Sequence, residues 1–170
     1  MMNTEWDGLL ALIQEHVSRY ENLSRLLQEE QAALIHHDLE RLHETAFRKQ
    51  AEAEAIQAQV PVLAEAIDQL ASRLALPAEP RPTLIELARI APTSCAPLLR
   101  RFSLALSQLK QGILRDSRTN QAFVREALDT VTESIAFLSG AISPPGATYL
   151  ASGHQAAAGG LKPVRLNREV

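Results

Sequence analysis

The 170-residue chain reads as an all-α protein, a bundle of long helices with room for one domain of ordinary size. Between Leu39 and Leu74 the positions Leu39, Leu42, Ala46, Lys49, Ala53, Ile56, Val60, Leu63, Ile67, Leu70 and Leu74 alternate three and four apart, and only Lys49 is polar. That spacing keeps one narrow stripe in line along a helix, and such a stripe has to be buried against other helices. Composition agrees: 46% of residues are hydrophobic, mostly Leu and Ala, while aromatics are only 4%, which suits helices and not a sheet.

The first helix is expected from Thr4 to Ile35, with Thr4 as its cap. Its stripe is Trp6, Leu10, Ile13, Val17, Tyr20, Leu27 and Leu34, widened by Leu9, Leu23 and Leu26. Keeping that phase calls for an apolar residue at 38, but Asp38 stands there and the next stripe starts one place later. The slip, together with polar His36-His37-Asp38, predicts a tight turn with Asp38 capping helix two. Because no Gly or Pro enforces the turn, one bent helix is the alternative to the hairpin. Helix two is expected to reach about Ala75, with Pro61 inside it. The missing amide costs about 3 kcal/mol and predicts a kink, but the stripe keeps phase on both sides and predicts no termination.

From Leu76 to Pro97 the texture changes to a Pro-rich connector carrying Pro77, Pro80, Pro82, Pro92 and Pro97, with one short helix at Thr83–Ile90. Leu84, Ile85, Leu87 and Ile90 want burial, so the connector should lie across one end of the bundle. Leu98 to Ile142 is the last long helix, with a stripe that starts at Leu99, Phe102, Leu106, Leu109 and Ile113. Asp116 and Asn120 then interrupt it with a polar layer that either fixes register against the hairpin or contacts a partner. Beyond Asn120 the stripe of Val124, Ala127, Val131, Ile135 and Leu138 widens to include Phe123, Leu128 and Phe137, more apolar surface than one neighbour needs. Gly140, Pro144, Pro145 and Gly146 end the helix. The organisation read is a bundle domain at 1–142 and a flexible C-terminal tail at 143–170.

Charge is unevenly placed within a net of −3: thirteen acids and six bases up to Leu76, seven acids and eleven bases after it. Opposite blocks complement each other when the halves pack. No strongly basic domain and few stacking aromatics argue against nucleic acid as a partner. The acidic N-terminus, the lack of an apolar run near the roughly 18 residues of a membrane span, and the lone Cys95 lead to an expectation of a soluble, cytoplasmic protein with no membrane insertion. Cys95 itself is expected to be a buried or half-buried structural thiol. Glu40 to His43 has the Glu-x-x-His spacing of dimetal bundles, but no second copy exists, so no metal and no cofactor are assigned. His16, His36, His37 and His43 are read as solvated. Phosphate loop, dinucleotide fingerprint, paired Cys motif and nucleophile elbow are all missing, so no catalytic residues are assigned and the chain is not read as an enzyme. The widened arc remains as a binding surface for an amphipathic segment. Its other candidate occupants are the connector or a second copy of the chain, which would make a homodimer.

Three places add a family resemblance. Leu9-Leu10 through Tyr20-Glu21-Asn22-Leu23, Leu26 to Glu29 and Ala33-Leu34 resemble the opening of FlgN-type flagellar export chaperones, and Leu39 to Arg73 resembles that family's second helix. Thr119-Asn120-Gln121-Ala122-Phe123-Val124 is similar to the family's pattern of two Asn three apart before an aliphatic pair, with Ser117 in the first Asn position and Phe123-Val124 as the pair. Thr148-Tyr149-Leu150-Ala151-Ser152-Gly153 resembles the family's Thr-Tyr-x-x-x-Gly ending. The resemblance implies a four-helix, left-handed, STAT-like antiparallel bundle. It also implies a cytosolic chaperone for the hook-filament junction proteins (FlgK/FlgL-type) that delivers them to the flagellar export gate. The expected client-binding residues are Phe123, Val124, Leu128, Val131, Ile135 and Phe137, with Asn120 setting register. Tyr149 and Gly153 are the expected gate-docking residues. A helical scaffold or adaptor of another secretion machine is the alternative.

Overall fold

A computed structural model describes the backbone of residues 2–77 and 79–142 and the side chains of 5–77 and 79–139. Among the described residues every regular element is helical: α1 (Met2–Ile35), α2 (Leu39–Arg73), α3 (Leu84–Ile90) and α4 (Ala96–Ile142). The chain divides into two compact units, Met1–Glu126 and Ala127–Val170.

Three residues separate α1 from α2, and side-chain and backbone bonds make the turn without glycine. His37 takes a left-handed φ of 55°. Its N–H reaches Leu34 O and the Asp38 N–H reaches Ala33 O, which closes the last turn of α1 as a Schellman motif. The Asp38 carboxylate then accepts the Arg41 N–H at 3.0 Å and caps α2. The hairpin is therefore the conformation adopted. The far end of α2 repeats the device: Ala75 has φ 52°, its N–H reaches Ser72 O, and Leu76 N–H reaches Ala71 O. Pro61 sits inside α2 without ending it.

Ion pairs and hydrogen bonds give the register within the first unit. Glu30 meets Lys49, Arg19 meets Glu52, His16 meets Gln59 and Glu5 meets Arg73, so α2 runs antiparallel to α1. Lys110 Nζ stands 5.5 Å over the Tyr20 ring and Asn120 bonds Leu27 and Glu30, so α4 runs parallel to α1. The apolar core gathers where α2 ends and α4 begins: Trp6, Leu9 and Ile13 from α1, Ile67 and Leu70 from α2, and Leu99 and Phe102 from α4. The short α3 adds Leu87 and Ala88 to this cluster, and Cys95 is buried in it. α3 starts on a capping box, with Thr83 N–H donating to Glu86 Oε2 at 2.8 Å and Glu86 N–H donating to Thr83 Oγ1. Arg81 grips Asp68 of α2 with two bonds of 2.7 Å and ties the connector down.

These bonds hold the Asp68 carboxyl below its ordinary 3.8, chiefly through Arg81, and the Glu86 carboxyl below its ordinary 4.5, chiefly through the Thr83 N–H. Depressed carboxyls stabilise the fold at pH above those ordinary values, and the contribution is lost as pH falls through the lower folded ones. The connector is therefore tied at neutral pH and loosened by acid.

The α1 and α4 stripes lie inside as far as Asn120, but four of the eleven positions of the α2 stripe do not. Leu42, Lys49, Ile56, Leu63, Ile67, Leu70 and Leu74 face inward, whereas Leu39, Ala46, Ala53 and Val60 are exposed. Thr45, Glu52 and Gln59 occupy the inner positions in their place. From each shared position a heptad row can step by three or by four. Apolarity favoured four, but the helix turns the other row toward α1, where His16 and Arg19 wait. His16 is correspondingly not solvated. It is buried, its Nδ1–H donates to Gln59 Oε1 at 2.9 Å, and its ring packs edge-on to Tyr20.

Left-handed backbone at a β-carbon-bearing residue costs about 1–2 kcal/mol, part of which glycine returns as unfolded-state entropy. His37→Gly and Ala75→Gly should therefore each stabilise the protein by about 0.5–1 kcal/mol. The urea midpoint measures this, and an unchanged or lower midpoint contradicts the assignment of the two motifs.

Candidate functional site

The site begins from a polar layer shared by all three long helices. Asn120 is only 4% exposed, and its Nδ2 donates to Leu27 O at 2.8 Å and to Glu30 Oε2 at 2.9 Å. The other carboxylate oxygen of Glu30 pairs with Lys49 of α2. Lys49, the polar break in the α2 stripe, thus has its explanation in a buried carboxylate that needs a cation. Leu27, Glu30, Lys49, Leu114, Asn120 and Val124 are among the residues that line one cavity of about 570 Å³ around this layer.

The layer sets where α4 loses its neighbour. Tyr20 lies beside Lys110 and Glu30 beside Asn120, so at the same offset Ile35, the last residue of α1, falls level with Arg125. Phe123 and Val124, at the end of the first unit, are already exposed. In the second unit every described side chain from Ala127 to Ser139 is exposed, including Leu128 at 61%, Val131, Ile135 and Phe137 at 77%. Single exposed aliphatics are ordinary on a surface, whereas these repeat at helical spacing along one element.

Of the residues expected to bind a client, Asn120 and Val124 share a cavity wall, Phe123 between them is exposed, and the other four are exposed in the second unit. Asn120 spends both its amide protons on α1. Tyr149 and Gly153 lie outside the described residues. Sequence reasoning missed Glu30 as the hub of the layer, although a lone Lys within an apolar seam signals a buried acid opposite. Among the described residues no group of three or more His, Cys, Asp and Glu converges to hold a metal, and no helix is long and apolar enough to cross a membrane.

A helical hairpin, a short capped connector helix and a last helix with an uncovered apolar run are features that many bundles could share. The family model described as FlgN protein matches residues 1–157. The chain belongs to the FlgN family. The match takes in all four helices and most of the remainder, so the likeness read from the order of motifs is a family relationship. FlgN proteins are flagellar export chaperones and not enzymes. No curated protein and no solved structure matches the chain.

If Glu30 needs its cation, Lys49→Met should cost about 1–3 kcal/mol. The paired change Glu30→Leu with Lys49→Met should recover most of that, because no unpartnered charge is left behind. Urea denaturation of the three proteins decides it, and a double variant as weak as the single one contradicts the charge argument.

Proposed function

We propose that this FlgN-family chain is a cytosolic chaperone that binds the terminal segments of hook-filament junction proteins, prevents their premature assembly and delivers them to the export gate. The observation that carries this reading is the exposure of Phe123, Val124, Leu128, Val131, Ile135 and Phe137 along one helix. Segments that become helical only on assembly have apolar faces that aggregate when free. An apolar helix surface masks such a segment reversibly and without chemistry. Asn120 fixes the register from which this surface starts, through its bonds to α1. In this reading residues 1–142 form the folded body, wound as the left-handed, STAT-like bundle that the family likeness implies. Residues 143–170 carry Tyr149 and Gly153 to the gate.

Leu128→Asp places a charge where the side chain is already in solvent, so stability should change by no more than about 0.5 kcal/mol. Co-purification with the junction proteins should be abolished while far-ultraviolet helicity is retained. Tyr149→Ala should keep co-purification and reduce export. Undiminished co-purification of Leu128→Asp removes the client surface, and normal export by Tyr149→Ala removes the docking role.

A further inference from the structure

The polar layer leaves one of its atoms unanswered. Asn120 donates both amide protons to α1, one to Leu27 O and one to Glu30 Oε2, and those two acceptors fix how the amide is turned. Its carbonyl oxygen Oδ1 is the one atom of the amide not committed to α1. Oδ1 is buried and has no hydrogen-bond partner, in a residue only 4% exposed. Flipping the amide does not repair this, because Oδ1 would then face two acceptors. Native interiors seldom leave a buried acceptor without a donor, so the atom calls for an explanation.

Asn120 stands in the wall of the cavity of about 570 Å³, and the rest of that wall limits what can answer it. All of the wall lies in the first unit. The Lys49 ammonium is committed to Glu30, while Arg118 forms no ion pair among the described residues. A carboxylate entering the cavity meets Arg118 but brings only acceptors, so it opposes Oδ1 and adds to the charge of Glu30. An ammonium or guanidinium gives Oδ1 a proton but adds a third positive charge to Lys49 and Arg118, against the single negative charge of Glu30. A primary carboxamide carries donor and acceptor side by side: its N–H answers Oδ1 and its carbonyl accepts from Arg118. Water also answers Oδ1, but the cavity is far larger than the roughly 30 Å³ that one water occupies.

We propose that the cavity around Asn120 takes the carboxamide side chain of an Asn or Gln carried by the client segment, with its N–H donating to Asn120 Oδ1. The client as source rests on the function proposed above, since Val124 belongs both to this wall and to the residues read as client-binding. The chemistry of the cavity does not depend on that reading. In a seam between helices one buried amide fixes the offset while the apolar residues beside it supply affinity. The side chain therefore determines which segment is accepted and where along α4 it sits.

The test uses the full chain, first with three small probes of one shape: propionamide, propionate and propylammonium. NMR follows the Asn120 side-chain amide and the backbone amides of 117–121. Propionamide should shift these signals saturably, with an affinity at least about fivefold above that of either charged probe. Leu114→Trp, which enlarges a wall residue that is already 53% exposed, should abolish the response with helicity unchanged. Equal response to the three probes, response to none, or a response that Leu114→Trp leaves intact overturns the proposal, the cavity then holding water only. Two synthetic helices of about 18 residues, with Leu at the seam positions and differing in one central Asn or Asp, test the source by fluorescence anisotropy. The Asn helix should bind about tenfold more tightly, and Leu114→Trp should bring that ratio close to one. Equal binding of the two helices overturns the proposal and leaves the client surface standing, whereas failure of both to bind overturns the client surface as well.

Discussion

One buried contact among Glu30, Lys49 and Asn120 governs how the three long helices sit against each other in the first unit. An apolar seam tolerates a slip of one heptad with little loss, because one leucine replaces another. A buried carboxylate does not: away from its lysine and its amide it is left without partners, at a cost of about 1–3 kcal/mol or more. The layer therefore converts three rods that could slide into rods with one offset. Because α1 stops at Ile35, that offset puts the end of α1 level with Arg125 of α4, at the limit of the first unit.

The interior is unevenly built along the hairpin. Trp6, Ile13, Leu70, Leu87 and Leu99 make a tight apolar cluster at the end closed by α3. Toward the turn, α1 and α2 meet through His16 with Gln59, Arg19 with Glu52, Glu29 with Arg48, and Glu30 with Lys49. Apolar burial contributes about 25 cal/mol per Å², whereas half-exposed ion pairs contribute about 0–1 kcal/mol each. The stability of the unit is thus concentrated at one end, and the turn end is held more by specificity than by strength.

Much of this was legible in the sequence, for reasons that can be traced to particular residues. The stripes of α1 and the first half of α4 are set by large apolar side chains at helical spacing, and these are inside. Asp38 and Thr83 are capping residues by chemistry, and both cap. The choice between the two rows of α2 was not legible, because it depends on which flank of the helix has a neighbour. Ala46, Ala53 and Val60 look like core residues in the chain, but the flank they occupy is bare in the first unit. The burial of His16 was hidden for a related reason, since its partner Gln59 is 43 positions away and is itself an ordinary surface residue by type. At His37 and Ala75 two helix ends are closed without the glycine that would have announced them.

In the function proposed for this FlgN-family chain, the exposed run on α4 presents to a client what an ordinary bundle hides. The most direct measurement of that idea is hydrogen exchange on the full chain, alone and with the terminal segment of a junction protein. The account predicts that amides from 123 to 138 gain about tenfold or more protection when the segment is added, with the Trp6–Leu70–Leu99 core unchanged. Protection that leaves 123 to 138 unaltered, or that is already complete in the free chain, would contradict it.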